Sequence, residues 1–282
     1  MTGTGIVMIT RDRRERTLAT LEQLVALPEQ PPVVVVDNGS RDGTADAVAA
    51  RHPDVRVIRS ARNHGAAART IGARALDTEF VAFSDDDSWW APGAIRTGER
   101  LLREHPRLGL VAARTLVGPD ETEDPLNAVL ADSPLGTAAD LPGPSVLGFL
   151  ACASIVRRSA FLEAGGFSPV LHFGSEETLL AIDLATAGWG VAYCPEVVAH
   201  HHPADGGRPG RVAQLRRNAL LTTWLRRPWP VIAADTAALA RSARDDAIAR
   251  RALVAALSKF PDAMRHRRRL PGRVEKDLER IS

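Results

Sequence analysis

Cysteine is scarce in this sequence, and long apolar runs are absent. Only two of its 282 residues are cysteine, and Cys152 and Cys194 form no spaced metal-binding or redox motif. We therefore expect two buried thiols in a reducing compartment rather than a disulfide framework or a cysteine-ligated metal. No run of about 18 apolar residues occurs, which predicts no membrane-spanning helix.

Glycine-rich phosphate loops are also missing. The first strand-like run is not followed by G-x-G-x-x-G, and G-x-x-x-x-G-K-[ST] occurs nowhere. Dinucleotide-binding and P-loop functions lose support, because both bind phosphate through such loops. The apolar run at residues 5–10 is too short for the core of a signal peptide, and its charges follow it. The sequence therefore predicts a cytoplasmic protein that would need another way to neutralise a bound diphosphate.

Charge is distributed unevenly along the chain. Residues 205–282 carry 18 Lys and Arg against 8 Asp and Glu, whereas residues 1–204 carry 18 against 26. The acidic part argues against a nucleic-acid-binding protein. We expect two units, a catalytic domain over residues 1–204 and a basic helical extension over residues 205–282.

Strand-like and helix-like patterns alternate in the first 114 residues. Such alternation predicts an α/β fold with a right-handed, mostly parallel sheet. Residues 115–147 lack periodicity, and we interpret them as an exposed loop over one edge of the sheet. A last strand is predicted at 190–196, followed from about residue 206 by helices alone. The first five strand-like runs are residues 5–10, 31–37, 54–60, 79–84 and 108–116, and residues 149–167 predict a further strand and a short helix.

Three of these runs end in polar groups. The first ends in Thr10–Arg13, the second in Asp37 before Gly39, and the fourth in Asp85, Asp86 and Asp87. Ligands of open α/β sheets bind at the carboxyl ends of strands. Carboxylates there suit Mg²⁺ or Mn²⁺, which bind one or two protein carboxylates together with phosphate oxygens. In extended backbone Asp85 and Asp87 point the same way, and Asp86 points the other way.

Four blocks, taken together and in this order, resemble the GT-A-fold glycosyltransferases of family 2. They are "ITRDR", "VVVVDNGSRDGT", "NHGAAARTIG" and "FSDDDSWWAPGAI". The resemblance covers residues 5 to about 202. It implies a GT-A type, mostly parallel sheet flanked by helices, with residues 1–114 binding a nucleotide sugar and residues 115–204 binding the acceptor. It also implies inverting transfer of a sugar from a UDP, GDP or dTDP type donor with Mn²⁺ or Mg²⁺.

The same resemblance implies roles for individual residues. Glu177 falls on the position of the catalytic base and Glu176 on the acid before it, although the family usually has Asp as the base and a further acid where Leu179 stands. The implied metal ligands are Asp85, Asp87 and His201, with His200 and His202 as neighbouring candidates. The implied donor-binding residues are Thr10, Arg11, Arg13, Asp37, Asn38, Gly39, Asn63, Arg69, Asp85 and Asp86.

The basic extension allows three interpretations. It could cap the acceptor site, dock on an anionic membrane surface at the inner face, or bind a polyanionic acceptor or partner. The acceptor itself could be a carbohydrate, a lipid-linked or a small molecule. Two other functions compete with transfer: a sugar nucleotidyltransferase, which would usually show a glycine-rich loop after the first strand, and a non-catalytic nucleotide-sugar-binding protein. Trp89 and Trp90 could form an apolar wall for a sugar or pack in the core.

Overall fold

Nine strands form one sheet in the computed structural model, which describes residues 3–203 and 210–281. In chain order they are β1 Thr4–Thr10, β2 Val33–Asp37, β3 Arg56–Arg59, β4 Phe80–Asp85, β5 Ser88–Trp90, β6 Leu108–Val117, β7 Thr122–Glu123, β8 Ser154–Arg157 and β9 Gly190–His201. Their spatial order is β3-β2-β1-β4-β8-β6-β9-β5, with β7 beside β6. Strands β3, β2, β1 and β4 run parallel, as do β6 and β9. The mostly parallel sheet is therefore confirmed, and the antiparallel strands are β5, β7 and β8.

Helices pack on this sheet and beside it. In the described residues the α-helices are α1 Arg14–Val25, α2 Thr44–Arg51, α3 Ala68–Ala75, α4 Ala94–Glu104, α5 Pro125–Ala131, α6 Arg158–Glu163, α7 Glu176–Thr186, α8 Arg211–Arg226, α9 Trp229–Ser242, α10 Ala247–Leu257, α11 Phe260–Arg265 and α12 Gly272–Arg280. The helices of the first 186 residues and α12 cover the sheet, whereas α8 to α11 pack beside it. Alternate residues of β1 enter different core clusters, Ile6 and Met8 on one face and Val7 and Ile9 on the other. Strands buried on both faces explain why the sequence runs are continuously apolar.

Residues 115–147 are only in part the exposed loop that the sequence suggested. Residues 132–140 have neither helix nor strand and are largely exposed, but the segments on both sides of them are anchored to the core. Strand β6 continues to Val117, and α5 begins where the Asp124 carboxylate accepts the N–H of Leu126 (2.8 Å) before a proline at the first helical position. Leu130 and Val146 are buried in the core, and Val146 N–H bonds to the carbonyl of Val191 (3.0 Å). The prediction was wrong for these flanking segments because isolated apolar residues, without a period, are enough to anchor a segment to an existing core.

Strand β9 is longer than predicted. It continues past residue 196 to His201, and its last residues pair antiparallel with β5, with His201 opposite Ser88 and His200 opposite Trp89. The bend that permits this continuation is a bulge: Ala113 and Arg114 of β6 are adjacent, but their partners are Cys194 and Val198. His200 and His201 thus end a strand, and His202 follows it directly.

The C-terminal helices pack against the start of α7. Leu220 and Trp224 of α8 share a buried cluster with Leu171 and Leu179, which flank the start of α7. The predicted domain boundary at residues 204–205 lies outside the described residues. Within 3–203 and 210–281, none of the helices has both the length and the apolar character that a membrane span requires.

Candidate active site

The predicted meeting of strand ends is present at one edge of the sheet. Thr10 is in register with Asp37 of β2, and Ile9 is in register with Asp85 of β4. The carboxyl ends of three neighbouring strands therefore bring the first, second and fourth polar blocks together, as their order in the sequence predicted.

The aspartate turn, residues 85–87, leaves β4 and leads directly into β5. Asp86 is buried, and its carboxylate accepts hydrogen bonds from the Thr10 hydroxyl (3.1 Å) and the Arg13 guanidinium (2.9 Å). Arg13 also reaches Asp87 (3.2 Å). Burial raises the pKa of Asp86 to about 6, although the charge of Arg13 opposes that shift. Asp86 and Asp87 thus share one nitrogen of Arg13, whereas Asp85 bonds to Arg69. The expectation that Asp85 and Asp87 point one way and Asp86 the other was wrong, because residues 86 and 87 form a turn rather than extended backbone.

His201 reaches the aspartate turn through the β5–β9 pairing. Its Nε2 lies 3.6 Å from Oδ1 of Asp87, and the N–H of His202 donates to the backbone carbonyl of Asp87 (2.8 Å). His200 points elsewhere, with Nδ1 3.3 Å from the Glu121 carboxylate. Of the three histidines, His201 is thus the one whose side chain faces the aspartates.

Both tryptophans pack on the core, Trp90 within one core cluster and Trp89 partly buried against it. Trp90 is 1% exposed and belongs to the core. Trp89 stacks on His200 with ring centroids 5.5 Å apart. Trp90 therefore packs in the core, and Trp89 covers the strand that carries the histidines.

Two asparagines organise the loops that follow β2 and precede α3. The Asn38 carbonyl accepts the N–H of His64 (2.7 Å) and its amide donates to the carbonyl of Gly65 (3.0 Å). The Asn63 carbonyl accepts the N–H of Gly65 (2.8 Å). Both asparagines also line the cavity described below, so they connect the β2 end with the segment before α3.

Asp37 and Gly39 lie just behind that surface. Asp37 is buried, and its carboxylate accepts the N–H of Ser40 (3.1 Å). Gly39 has a φ of 82°, and a side chain there would contact the backbone of Arg62. The turn after β2 therefore needs glycine for its conformation, and Asp37 stabilises the same turn.

Arg69 connects the aspartate turn with helix α7. Its side chain is 1% exposed, one guanidinium nitrogen donates to the Asp85 carboxylate, and another lies 3.9 Å from Glu176. The guanidinium stacks over the ring of Phe167 (5.4 Å). Among the described residues, Arg69 Nε and Nη1 and Glu176 Oε2 are buried without a hydrogen-bond partner. Buried polar atoms of this kind point to a ligand or water at the junction.

Glu176 and Glu177 occupy the first turn of α7 and differ in exposure. Glu176 is 1% exposed, whereas Glu177 is half-buried and accepts the backbone N–H of Ala151. Burial raises the pKa of Glu176, and burial together with the charge of Glu176 raises the pKa of Glu177. Ser175 stands at the N-cap position, but its φ is 62° and its side chain makes no capping hydrogen bond.

A cavity of about 380 Å³ opens at this sheet edge. It brings together eight predicted site residues: Thr10, Arg11, Arg13, Asn38, Asn63, Asp85, Asp86 and Asp87. Arg69 contacts Asp85 and His201 contacts Asp87, so both lie next to residues that line the cavity. Glu176 lies next to Arg69. The sequence analysis missed Ile9, His172, Phe173 and Gln214. Gln214 comes from the C-terminal extension and carries no sequence signal for a site.

The chemistry of the donor set fits a divalent cation. Asp85, Asp87 and His201 offer carboxylate and imidazole ligands beside an open cavity, and Mg²⁺ or Mn²⁺ completes its coordination with phosphate oxygens. In the described part of the chain, three or more acidic, histidine or cysteine side chains do not converge into a ready-made metal cage. The site therefore suits a cation that is held jointly with a phosphorylated ligand.

Known proteins resemble this chain in sequence. The model for "Glycosyl transferase family 2" matches residues 5–165. An N-acetylglucosaminyl-diphospho-decaprenol L-rhamnosyltransferase of Mycobacterium tuberculosis is 31% identical over 223 residues, covering 67% of this chain and 72% of its own. A pre-mycofactocin glycosyltransferase of the same organism is 35% identical over 192 residues, covering 64% and 40%.

Solved structures share the fold. A mannosyltransferase of Pyrobaculum calidifontis, in complex with GDP-Man and Mn²⁺, superposes with a TM-score of 0.63 at 19% identity, over 98% of this chain and 74% of that one. TarS of S. aureus, in complex with UDP-GlcNAc, gives 0.62 at 15%, over 97% and 83%. These likenesses establish the GT-A type of sheet. With the family match over residues 5–165, they show that the chain belongs to glycosyl transferase family 2.

Proposed function

We propose that this protein is a metal-dependent, inverting glycosyltransferase that moves a sugar from a nucleotide diphosphate sugar to an acceptor hydroxyl. The observation that carries the proposal is the junction of two acidic groups. The aspartate turn lines the cavity, the two glutamates begin α7, and Arg69 contacts one member of each group. A donor site and a proton acceptor thus lie side by side, as a group transfer requires.

The donor occupies the cavity at the strand ends. Its volume falls within the roughly 300–1,000 Å³ of typical ligand sites. Asp37, Asn38 and Asn63 hold the nucleoside side, and Arg11 and Arg13 attract the diphosphate. Asp85 would bind the ribose, and Asp87 with Asp85 and His201 would hold Mn²⁺ or Mg²⁺. A cation held there would supply positive charge for the diphosphate leaving group.

Transfer itself is a single displacement. The acceptor hydroxyl oxygen bonds to the anomeric carbon as the bond from that carbon to the diphosphate oxygen breaks, and the bonding pair leaves with the nucleoside diphosphate. Glu177 accepts the hydroxyl proton as a general base. General-base catalysis typically raises the rate of the chemical step by about 10²–10⁴-fold. Attack from the face opposite the leaving group inverts the anomeric centre.

Glu177 is a better base than Glu176 on grounds of access. A base must touch the acceptor, and Glu177 is half-buried while Glu176 is 1% exposed and faces Arg69. The raised pKa of Glu177 makes its carboxylate form a stronger proton acceptor than an exposed glutamate.

A donor screen followed by one substitution tests this function. Melting temperature is measured with UDP-, GDP- and dTDP-sugars, with and without Mn²⁺, and the matching donor should raise it only when Mn²⁺ is present. Glu177→Gln should retain that shift and lose most transfer, whereas Glu15→Gln, an exposed glutamate of α1, should retain both. No shift with any donor, or full turnover by Glu177→Gln, would contradict the proposal. Retained function in Glu177→Gln is what a non-catalytic sugar-nucleotide binder predicts.

The acceptor we propose is a lipid-linked carbohydrate at the inner face of the membrane. The rhamnosyltransferase relative is named for such an acceptor, and helices α9 to α11 expose large apolar side chains. Trp229 is 60% exposed, Val254 63% and Leu257 51%. Arg250 and Arg251 stand beside Val254 on α10. Exposed apolar groups ringed by arginine suit an anionic lipid surface.

Vesicle binding tests the membrane contact independently of transfer. The protein should sediment with vesicles that contain phosphatidylglycerol and not with pure phosphatidylcholine, and Leu257→Glu should abolish sedimentation. Val129→Glu is the matched control, because Val129 is 65% exposed and belongs to α5 rather than to helices α9 to α11. Equal sedimentation by both variants would refute the assignment, and a dimer lost only in Leu257→Glu would assign the face to a second copy.

A further inference from the structure

Helix α8 holds the segment that precedes the two glutamates. We call residues 171–175 the base loop, because they lead into Glu176 and Glu177. The Asn218 side chain, fully buried on α8, donates from its amide to the carbonyls of Phe173 (2.8 Å) and Gly174. Two neighbours add to this grip: the Arg217 guanidinium donates to the carbonyl of Leu171 (2.8 Å), and the Gln214 amide donates to that of Phe173.

The base loop has an unfavourable backbone conformation. His172, Gly174 and Ser175 have φ angles of 66°, 88° and 62°. A non-glycine residue in this region costs about 1–3 kcal/mol and persists only where its surroundings enforce it. The three donors from α8 are contacts that enforce it, since they bond the loop's carbonyls directly.

The opposite side of the base loop rests on the nucleotide-binding half. The N–H of Ala66 donates to the carbonyl of His172 (2.6 Å), and a side chain at Gly65 would overlap that same carbonyl. His172 and Phe173 also line the cavity. The loop is therefore fixed from two sides, and its position sets both a cavity wall and the start of α7.

We infer that Asn218 is a positioning residue for transfer: it holds the base loop so that Glu177 meets the acceptor beside the donor cavity. This inference rests on the proposed function and names a part of the C-terminal extension that the reaction depends on. Asparagine suits the task because one amide nitrogen carries two donors, which here serve two consecutive carbonyls. Its carbonyl oxygen is satisfied by Arg217 Nε (2.9 Å).

Asn218→Ala tests the inference, with Asn127→Ala as the matched control. Asn127 is also buried and bonds backbone groups, donating to the carbonyl of Thr115 (2.8 Å) and accepting its N–H (3.0 Å). Both variants should lose similar stability, since each leaves a buried carbonyl short of a donor. Only Asn218→Ala should lower kcat, by about 100-fold, which is typical when a reacting group shifts by about 1 Å.

Two further measurements separate positioning from stability. Donor with Mn²⁺ should still raise the melting temperature of Asn218→Ala, so that kcat falls far more than donor binding. Hydrogen exchange at residues 173–177 should become faster in Asn218→Ala and not in Asn127→Ala. Equal kcat in the two variants, or unchanged exchange at those residues, would overturn the inference.

A second variant covers the case in which Asn218→Ala does not fold. Arg217→Met removes the donors to the Leu171 carbonyl and to the Asn218 side-chain oxygen but leaves the Asn218 amide in place, so it should shift exchange and kcat in the same direction by a smaller factor. If it changes neither, the inference fails. Failure of the proposed function is recognised separately, because the wild-type protein would then show no transfer and no donor-dependent melting shift.

Discussion

Exchanging Arg226 for methionine is predicted to destabilise the protein by about 3–5 kcal/mol. Arg226 and Asp183 form a two-pronged ion pair that joins α8 to α7, with nitrogen–oxygen distances of 2.5 and 2.8 Å. Their side chains are only 5% and 9% exposed. Removing one partner of such a pair leaves the other charge buried and uncompensated, which costs more than the pair contributes.

The size of the loss follows from what remains around Asp183. Arg268 lies 3.5 Å from the same carboxylate, but its side chain is 61% exposed. An exposed partner of that kind contributes about 0–1 kcal/mol and cannot replace Arg226. Methionine preserves most of the apolar stem, so little of the loss comes from packing. For a chain of this size the expected fall in melting temperature is roughly 6–20 °C.

A double-mutant cycle in urea measures the pair directly. Arg226→Met and Asp183→Leu should each lose several kcal/mol, and the double variant should lose clearly less than their sum because no charge is left unpaired. Arg216→Met is the matched control: Arg216 and Asp246 pair at the surface with side chains 43% and 36% exposed, and the loss should stay below about 1 kcal/mol. Strictly additive losses, or equal losses in Arg226→Met and Arg216→Met, would refute the argument.

Three further outcomes are expected. Because the pKa of Glu177 is raised, its carboxylate becomes protonated as pH falls, at a pH nearer 8 than 4.5. Below that pH, kcat/KM should drop about tenfold per pH unit. An acid limb of the pH–rate profile at 4.5 would contradict this, and Glu177→Gln should remove the limb. In urea unfolding, Gly65→Ala should cost about 1–3 kcal/mol more than Gly43→Ala, because both have positive φ but only Gly65 would clash with backbone; equal costs would argue against the close approach. His201→Asn should raise the Mn²⁺ concentration for half-maximal turnover about 10–100-fold, and His200→Asn should leave it unchanged.

The sequence predicted the meeting of the strand ends well because that part of the fold is local. Continuous apolar runs predicted strands buried on both faces, and the polar blocks that follow them had to meet at one sheet edge. Asp37, Asp85 and Thr10 are therefore where they were expected. The order of strands in the chain was sufficient for this part.

The rest of the site depends on contacts between distant segments. His201 was predicted as a ligand only through family resemblance, and its route to Asp87 through β9 and β5 was missed because the strand was expected to end at residue 196. Gln214 and Asn218 lie in an extension whose composition suggested only basic helices. A buried asparagine in a helix has no periodic signature, since its partners are carbonyls more than 40 residues away.

Because of the bulge in β9, the side chain that faces Asp87 depends on the number of residues in this part of the strand. Residues 195–197 are the extra residues that let Val198 resume pairing with Arg114, and from there the register runs without a break to His201 opposite Ser88. Neighbouring residues of a strand face opposite sides of the sheet. Adding or deleting one residue after the bulge would therefore turn His201 away from Asp87 and turn an adjacent histidine towards it. Substitutions in this segment alter a side chain, whereas insertions and deletions alter which side chain reaches the site. The three residues of the bulge thus determine which histidine faces the metal site that we propose.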